Sequence, residues 1–579
     1  MSHRLKLSDG SRRCAVSACL LVGLVLPPAV PFAQTAPAPP SAGSLLRELQ
    51  PGAVQPDTAP RPTLELPAPR TVVAPASGGP AVDVAGFRLT GIPAERADRL
   101  LPLTRRYVGP AKTLADLEDA AKDVEVALQR GGLFLAQVYV PAQEMTGGIV
   151  TLHVLEGRLG AVTLQAEPGV KVSRAFMEDV LAPLRGNPVA EREMVERALF
   201  ALGDLRGVAV TSSLVPGAVP GQADLVVKVA AGPRFGYSVD ADNGGSAFTG
   251  RYRLNAGIDW SSPAGRGDVA SLKALTSTNG GVQFVRGAWL VPVTARGTKL
   301  GFAASFLRYS LGTPLFEPLN ASGTASAYAL QLLHPLLRSR NQNLFLQASV
   351  ERRRFEDKVG AIALVTKKGA TSYATLGVVG DFRDTALGGG ITNYSANVVA
   401  GRLNIDSAAD LAADQSLTGF RSAGGYAKLV LTASRLQALP NKDFLYLSSS
   451  AQAATKNLDS SEKFNLGGPN GVRGYPSPES PSDSGAILTW EYRKPLRFES
   501  LRGDLVLSLF GDYGIGRIHH EPLPGDAQNV RRLVSHGLGV VFADDKGLLL
   551  KAYVAVRGGV QAQSDDSRAR LVVQAGKQF

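Results

Sequence analysis

Cysteine is nearly absent from this chain of 579 residues, which contains only Cys14 and Cys19. Both lie in an N-terminal segment where two arginines precede an apolar run at residues 15–26. This pattern is typical of a secretory signal, and we expect residues 1–33 to be a signal peptide cleaved after Ala33. Lipidation at Cys19 is the alternative, although most of the apolar run follows that residue. The mature chain would then have no cysteine for disulfides or metal ligands.

Long apolar runs are also missing. No mature segment approaches the ~20 uninterrupted apolar residues of a transmembrane helix, although apolar residues make up 44% of the chain. A transmembrane β-barrel needs no such run, because its strands are recognised by alternation of apolar and polar residues. The absence therefore excludes helical membrane proteins and leaves a barrel open.

Catalytic and metal-binding motifs are a third absence. The sequence contains no G-x-S-x-G, no Walker-type loop and no H-E-x-x-H. Its six histidines are scattered, and the pair His519 and His520 falls in a predicted surface loop, where we expect both to be solvated. These absences argue against an enzyme, and we expect no cofactor and no bound metal.

Positive charge exceeds negative charge, with 62 Lys and Arg against 50 Asp and Glu. The excess is spread along the chain, and blocks such as Arg352-Arg353-Arg354 are not interleaved with aromatic residues that could stack on bases. We therefore expect no nucleic-acid partner. A basic lumen or a surface that faces anionic lipid accounts for the charge more simply.

The start of the mature chain, residues 34–80, divides into a helix and a linker. Residues 42–50 have helical periodicity, and Pro51 ends the predicted helix. Its apolar face carries Leu45, Leu46 and Leu49. From there to Pro80, prolines recur every few residues, which favours an extended tether. A disordered leader with a nascent helix is the alternative interpretation.

Two α/β units follow, at residues 81–158 and 159–233, with the same β-α-α-β-β order. In the first we predict strands at 83–89, 135–140 and 149–156, and helices at 94–106 and from a cap at Thr113 to residue 130. In the second we predict strands at 159–165, 208–214 and 224–230, and helices from a cap at Ser173 to 184 and from 187 to 203. Repetition of one supersecondary unit indicates two related domains. Each small sheet should have exposed edges to which an extended peptide can add.

From residue 234 to Phe579 the chain consists of long alternating segments separated by polar, Gly-rich loops. Residues 251–260 alternate most clearly, with apolar even positions and polar or glycine odd positions. We predict about sixteen strands forming a transmembrane β-barrel. A large soluble β-sandwich would also alternate, but it would not usually use so many long strands with aromatic ends.

One Gly- and Pro-rich stretch, residues 467–476, carries a single arginine, Arg473. About forty residues later comes Phe510-Gly511-Asp512-Tyr513-Gly514, inside an alternating strand. Leucines at 505, 507 and 509 face lipid in that strand, so Phe510 and Asp512 fall on the lumen side. We predict that the loop folds into the barrel and that Arg473 pairs with Asp512 through charge-assisted hydrogen bonds.

These motifs resemble those of the two-partner secretion transporters (TpsB proteins of the ShlB/FhaC/HecB haemolysin secretion/activation type, in the POTRA-plus-barrel superfamily). The similarity covers a V-R-G-Y loop tip, an F-x-D-x-G strand motif, and the pattern of the first α/β unit from Gly132 through Val140-Pro141-Ala142-Gln143 to Arg158. The loop motif comprises Val472, Arg473, Gly474 and Tyr475, and the barrel-wall motif comprises Phe510, Asp512 and Gly514.

The resemblance implies a mainly β protein: an N-terminal plug helix, two POTRA domains and a 16-stranded outer-membrane barrel. It implies export of a large secreted TpsA-type exoprotein, an adhesin or haemolysin, across the outer membrane of a Gram-negative bacterium. The implied cargo-binding residues are Val138, Tyr139, Pro141 and Gln143. A terminal Phe579 on an alternating strand resembles the signal read by the barrel assembly machinery, and outer-membrane lipid would surround the barrel. The alternatives are an insertase of the same superfamily and a passive porin or receptor.

Overall fold

A computed structural model describes residues 40–50, 63–65, 81–186, 188–314, 316–362, 364–498, 502–524, 526, 528–563, 565 and 567–579. The predicted signal peptide, its cleavage site and most of the predicted linker lie outside these residues. Among the residues described, no helix is long and apolar enough to cross a membrane.

The first helix, α1 (Ala42–Leu49), ends just before Pro51, as predicted. Ser41 and Ser44 form a capping box, in which each side chain bonds the other residue's backbone N–H. A short strand, β1 (Thr63–Glu65), follows.

The first α/β unit has more pieces than predicted. Its elements are β2 (Val82–Val84), β3 (Gly86–Thr90), α2 (Ala94–Leu100), β4 (Gly109–Lys112), α3 (Leu114–Arg130), β5 (Gln137–Tyr139) and β6 (Ile149–Leu155). The predicted strand at 83–89 is two strands. The predicted helix at 94–106 changes at Leu101–Tyr107 to a 3₁₀ helix, because Pro102 lacks the N–H that an α-helix would require. Strand β4 was not predicted.

The second unit contains β7 (Arg158–Ala166), α4 (Arg174–Leu181), α5 (Arg192–Gly203), β8 (Val208–Pro216) and β9 (Gln222–Ala231). Helix α5 begins five residues later than predicted. The reason is tertiary: Val189 pairs with Arg158 in a β-bridge, which holds the chain extended before the helix. The sheet order is β1-β8-β9-β7, so β1 adds to the edge of this unit in parallel with β8.

Sixteen antiparallel strands close into a barrel, which confirms the predicted number and architecture. They are β10 (Phe235–Asp242), β11 (Arg253–Ser261), β12 (Val269–Ser277), β13 (Val282–Pro292), β14 (Lys299–Ser310), β15 (Ala321–Arg338), β16 (Gln342–Val359), β17 (Leu364–Asp384), β18 (Gly390–Ile405), β19 (Gly424–Ala438), β20 (Phe444–Ala454), β21 (Ser484–Leu496), β22 (Asp504–Arg517), β23 (Val530–Ala543), β24 (Leu548–Arg557) and β25 (Ala569–Gln578). A short helix, α6 (Ala408–Asp414), lies between β18 and β19.

Alternation along each strand separates an outer apolar wall from an inner polar one. On β21, Leu488 and Trp490 are exposed on the outer face, 54% and 44% respectively, whereas Glu491 is buried on the inner face. The pleat of a strand places successive side chains on opposite faces, so this separation follows from the sequence.

One end of the barrel, called the near end below, rests on the second α/β unit. Arg338 Nη2, where β15 ends, lies 2.5 Å from Asp204 Oδ1, and the Arg206 N–H donates to the Gly267 carbonyl at 3.0 Å. Strand β10 starts at this end, so the connections after even-numbered strands, including β20, lie at the opposite or far end.

Candidate functional site in the barrel lumen

The connection from β20 to β21, residues 455–483, folds from the far end back into the barrel; we call it the lumen loop. Its Leu466, Val472 and Tyr475 are almost completely buried, and they pack against Ile487 and Leu533 on the inner wall. The Tyr475 hydroxyl donates to the Val560 carbonyl at 2.8 Å. The loop is therefore attached to the wall by apolar packing as well as by polar bonds.

Arg473 lies at the tip of this loop and is bonded to Asp512 on β22. Its Nη2 is 2.7 Å from Asp512 Oδ1, and its Nε and backbone N are each 3.0 Å from Oδ2. The guanidinium also lies over the Phe510 ring, with Cζ 3.5 Å from the ring centroid. Asp512 and Phe510 are 3% and 0% exposed, so the pair is shielded from water.

Three partners of this pair were not predicted. Glu491 Oε1 accepts from Arg473 Nη1 at 2.5 Å, and the Thr489 and Ser535 hydroxyls donate to Asp512 at 3.0 and 2.8 Å. The alternation of β21 does place Thr489 and Glu491 on the lumen side. It does not indicate which loop residue they will meet.

Two glycines of the predicted motifs allow the close approach of loop and wall. A Cβ at Gly474 would lie 2.8 Å from the Ser535 Cβ and 2.9 Å from the Arg557 backbone N. A Cβ at Gly514 would lie 2.7 Å from a methyl of Val472. Since contacts below 3 Å would force the loop to shift, larger side chains here are incompatible with this docking.

Helix α1 occupies the lumen beside the loop. Leu45 and Leu46 are buried against Phe284, Leu307 and Phe355 on the inner wall, and Leu49 packs at the margin of the same cluster. Burial of each leucine contributes about 2 kcal/mol.

Polar contacts join the N-terminal turn of α1 to the wall. The Ala42 N–H donates to Asp357 Oδ1 at 2.8 Å, and the same oxygen accepts from the Tyr309 hydroxyl at 2.8 Å. The helix N-terminus carries a partial positive charge, which a carboxylate stabilises. The helix is thus positioned by its apolar face and by one wall carboxylate.

The helix also contacts the lumen loop directly. Ser477 donates to Glu48 Oε2 at 2.9 Å, and Arg47 donates to the Lys463 carbonyl. A Cβ at Gly43 would lie only 2.6 Å from the Ser461 Cβ, so helix and loop touch without space for a larger side chain. The two lumen elements form one packed unit.

Charged residues surround α1 and the lumen loop. Glu462 of the loop pairs with Lys428 on the wall at 2.6 Å and with Arg353 at 3.3 Å, and Arg353 donates to Gln50 at 2.7 Å. A cavity of about 1520 Å³ remains in the lumen, and Arg47, Glu351 and Arg353 are among the residues that line it.

The four residues predicted to bind cargo differ in exposure. Val138 is buried in the core of the first α/β unit, while the ring of Tyr139 is 45% exposed. Gln143 bonds both backbone groups of Thr151, at 2.7 and 2.8 Å, so its amide is engaged within the unit. Pro141 is partly exposed beside it. Of the four, Tyr139 has the most surface to offer another molecule.

The expectation that His519 is solvated is wrong. His519 is 8% exposed, and its Nδ1 lies 2.7 Å from Asp526 Oδ2 in the same far-end loop. Burial raises the pKa of the Asp526 carboxyl, but hydrogen bonds from the Leu523 N–H and the His519 ring outweigh it and lower that pKa below its ordinary value. Within the part of the chain described, no cluster of three metal-ligating side chains occurs.

Comparison with known proteins gives matches over most of the chain. The family model "Haemolysin secretion/activation protein ShlB/FhaC/HecB" matches residues 221–542, more than half of the chain, and "POTRA domain, ShlB-type" matches residues 82–157. The heme/hemopexin transporter protein HuxB of Haemophilus influenzae (strain 86-028NP) is 27% identical over 461 residues, 79% of this chain and 80% of HuxB. The outer membrane transporter CdiB of Dickeya dadantii (strain 3937) is 22% identical over 408 residues, 67% of this chain and 69% of that protein.

Solved structures show the same fold. CdiB from Escherichia coli superposes with a TM-score of 0.69 at 18% identity, covering 88% of this chain and 94% of CdiB. CdiB from Acinetobacter baumannii gives a TM-score of 0.61 at 18% identity, covering 87% and 91%. The chain therefore belongs to the haemolysin secretion/activation protein ShlB/FhaC/HecB family, outer-membrane transporters of two-partner secretion that export large exoproteins and hold their POTRA domains in the periplasm.

Proposed function

We propose that this protein exports one specific exoprotein, of the adhesin or haemolysin type, through the lumen of its own barrel. The family works with a secreted TpsA-type partner. The observation that carries the proposal is the arrangement of the lumen: α1 and the lumen loop lie across the passage and are packed against each other. An unfolded chain can pass only when these elements move.

The attachment of α1 suits a removable plug. Its polar bonds to the wall and loop are replaced by bonds to water when the helix leaves, so each contributes a net of about 1.5–3 kcal/mol, because a charged group takes part in it. Burial of Leu45 and Leu46 stabilises the docked helix more than any one of these bonds, and an apolar cargo segment can replace it. Incoming cargo would therefore displace α1 without an external energy source. Folding of the exoprotein outside the cell would then make export directional.

We infer that the POTRA domains recognise the cargo by adding a cargo strand to a sheet edge and by contacts from adjacent side chains. In the second domain, β1 already occupies the edge of β8, so a cargo strand adding there must displace it. In the first domain, β5 is an edge strand. The Val138 N–H on that edge donates to Glu125 Oε2 at 3.2 Å, while Tyr139 beside it is exposed and can contact cargo.

Site-specific photo-crosslinking in the full-length transporter tests the route. A photoreactive residue replaces Tyr139 in the first POTRA domain or Ser448 on the lumen wall, in cells that produce a candidate exoprotein. Ser448 lies opposite the lumen-facing Thr489. Matched controls are Leu114, which is also 45% exposed in the first domain, and the lipid-facing Leu376. We expect cargo adducts at Tyr139 and Ser448 and none at the controls. Adducts at Leu376, or none at Ser448, would contradict export through the lumen.

One observation favours an insertase as the second candidate. The closing seam between β10 and β25 pairs only residues 238–242 with 574–578, the shortest strand pairing among the described strands of the barrel. Val239 and Lys577 are opposite each other in this seam. A disulfide between cysteines placed at these two positions would lock it, since residues 34–579 contain no cysteine that could compete. If the protein exports its cargo through the lumen, secretion should persist in the disulfide-locked protein. If it is an insertase that opens laterally at this seam, its activity should be lost.

A further inference from the structure

The Arg352-Arg353-Arg354 block divides between the two faces of β16. Arg353 is 7% exposed and bonds to residues in the lumen, as described above. Arg352 lies directly opposite Tyr328 on β15, whose ring is 52% exposed on the outer wall, and Arg354 lies opposite Ser326. Arg352 and Arg354 therefore point outward, away from the lumen.

These two arginines are part of a larger group of outward-facing cations on neighbouring strands, which we call the outer-wall cation patch. Its members are Arg308 on β14, Arg352, Arg354 and Lys358 on β16, Lys368 on β17 and Arg402 on β18. Five adjacent strands span about 19 Å of the wall. The acids on the same surface are Glu356 and Asp406.

Most of the positive charge in the patch has no protein counter-charge. Glu356 pairs with Lys358 at 2.6 Å and with Lys368 at 3.1 Å, so among the described residues the ion pairs of the patch involve its two lysines. Its four arginines form no hydrogen bond or ion pair with any other residue in the described part of the chain. A groove of about 1010 Å³ lies among them, and Arg308, Arg352 and Arg354 line it together with Phe306 and Val285.

The height of the patch coincides with the upper border of the apolar wall. Going up β16 from the near end, the outward residues are Leu344, Leu346, Ala348 and Val350, and Arg352 is the first charged one. Arg352 lies ten residues above the start of the strand, about 26 Å higher for a strand tilted by about 40°. The apolar band of an outer-membrane barrel is about 25 Å tall. The arginines thus stand where lipid headgroups of the outer leaflet begin.

We propose that the outer-wall cation patch binds the phosphate groups of a phosphorylated lipid headgroup in the outer leaflet. Charge complementarity identifies the occupant: four arginines without counter-charge at headgroup height match anionic phosphates. Guanidinium groups bind phosphate oxygens bidentately. Arg352 and Arg354 are about 7 Å apart along the strand, so a headgroup with two phosphates can engage both. The apolar floor of the groove, Phe306 and Val285, would contact the acyl chains.

The test measures lipid binding to the full-length protein in detergent by native mass spectrometry. The probes are lipid A with two phosphates and the same lipid A with its phosphates removed. We compare the wild type with the double variant Arg352→Gln/Arg354→Gln. The control Arg532→Gln removes an outward cation of β23, on another part of the wall, which lies opposite the apolar Ile515. Unheated electrophoretic mobility reports whether each barrel is folded.

We expect the double variant to bind the diphosphorylated lipid about tenfold more weakly, equivalent to about 1.4 kcal/mol. Arg532→Gln should bind like the wild type, and Arg352→Lys/Arg354→Lys should recover part of the affinity. Equal affinity of the double variant, or equal wild-type binding of the lipid without phosphates, would overturn the proposal. Displacement of the lipid by millimolar inorganic phosphate would identify a free-anion site and would also overturn it. The comparison of the two lipids on the wild-type protein tests the proposal even if a variant does not fold.

Discussion

At the scale of single residues, the contact between Arg473 and Asp512 shows how a charged pair can hold a loop inside a pore. The carboxylate accepts five hydrogen bonds, three of them from Arg473. A buried ion pair need not stabilise a fold relative to apolar residues, but loss of one partner leaves the other charge buried without compensation. The pair is thus suited to fixing the position of the loop rather than to stabilising the barrel.

Arg473→Ala should undock the lumen loop and reduce secretion strongly, while the barrel remains inserted. Loss of one partner of a buried ion pair costs about 3–5 kcal/mol. The backbone hydrogen bonds between the sixteen strands do not involve this pair, so the barrel should still form. The measurement is exoprotein in the culture supernatant together with heat-modifiable mobility of the barrel. Arg286→Ala is the control, since Arg286 faces the same lumen but bonds to Ser305 on the wall. Normal secretion by Arg473→Ala would contradict a role for this loop.

The charge exchange Arg473→Asp with Asp512→Arg should not restore secretion. With an arginine at position 512, the backbone N–H of residue 473 loses its acceptor. The Thr489 and Ser535 hydroxyls, which now donate to Asp512, would have to turn and accept instead. An aspartate at 473 would face Glu491 in place of a cation. Recovery to half of the wild-type secretion or more in the same supernatant assay would show that the pair acts through charge alone.

At the scale of elements, α1 and the lumen loop are two segments distant in sequence that pack as one body. Their junction is the contact between Gly43 and Ser461, reinforced by the bonds of Arg47 and Glu48 to the loop. Movement of either element therefore disturbs the packing of the other.

Gly43→Ala should displace α1 from the lumen and raise single-channel conductance in planar bilayers. The new methyl would lie 2.6 Å from the Ser461 Cβ. To relieve this steric clash, the backbones of α1 and the lumen loop must move apart. Deletion of residues 44–50 should raise the conductance further. Gly287→Ala is the matched control, because a Cβ at this barrel glycine would meet nothing within 4 Å. Unchanged conductance in Gly43→Ala and in the deletion would argue against a plug.

At the scale of the whole molecule, the second POTRA domain is attached to the near end of the barrel by a few specific contacts. Arg338 is central, because it bonds Asp204 at 2.5 Å and lies over the rings of Phe200 and Phe345, 5.6 and 5.2 Å from their centroids. This attachment holds the second POTRA domain at the mouth of the lumen.

Arg338→Ala should loosen this attachment and lower secretion severalfold without unfolding either part. The readout is faster amide hydrogen exchange in α5 and in the turn after β15, alongside the amount of secreted exoprotein. Arg296→Ala is the control, since Arg296 is exposed in another near-end turn and bonds to no residue that the structure describes. Exchange in α5 that matches the wild type would show that Arg338 is not the link.

Local patterns in the sequence predicted those features that depend on local chemistry. Alternation gave the sixteen strands and the lumen-facing parity of Asp512, and Thr113 with Asp116 formed the expected cap of α3. The end of α1 before Pro51 and the duplication of the α/β unit could also be predicted from the sequence. Each of these depends on neighbours within a few residues, so no knowledge of the fold was needed.

Features that depend on residues far apart in the chain were decided only by the tertiary structure. These include the bond from Arg473 to Glu491, the pairing of β1 with β8, the late start of α5 and the burial of His519. The physical reason is that alternation specifies which face a side chain takes, whereas closure and stagger of the barrel specify which distant side chain it meets. The outer-wall cation patch is of the same kind: its arginines are dispersed along the sequence, and only the strand register brings them together.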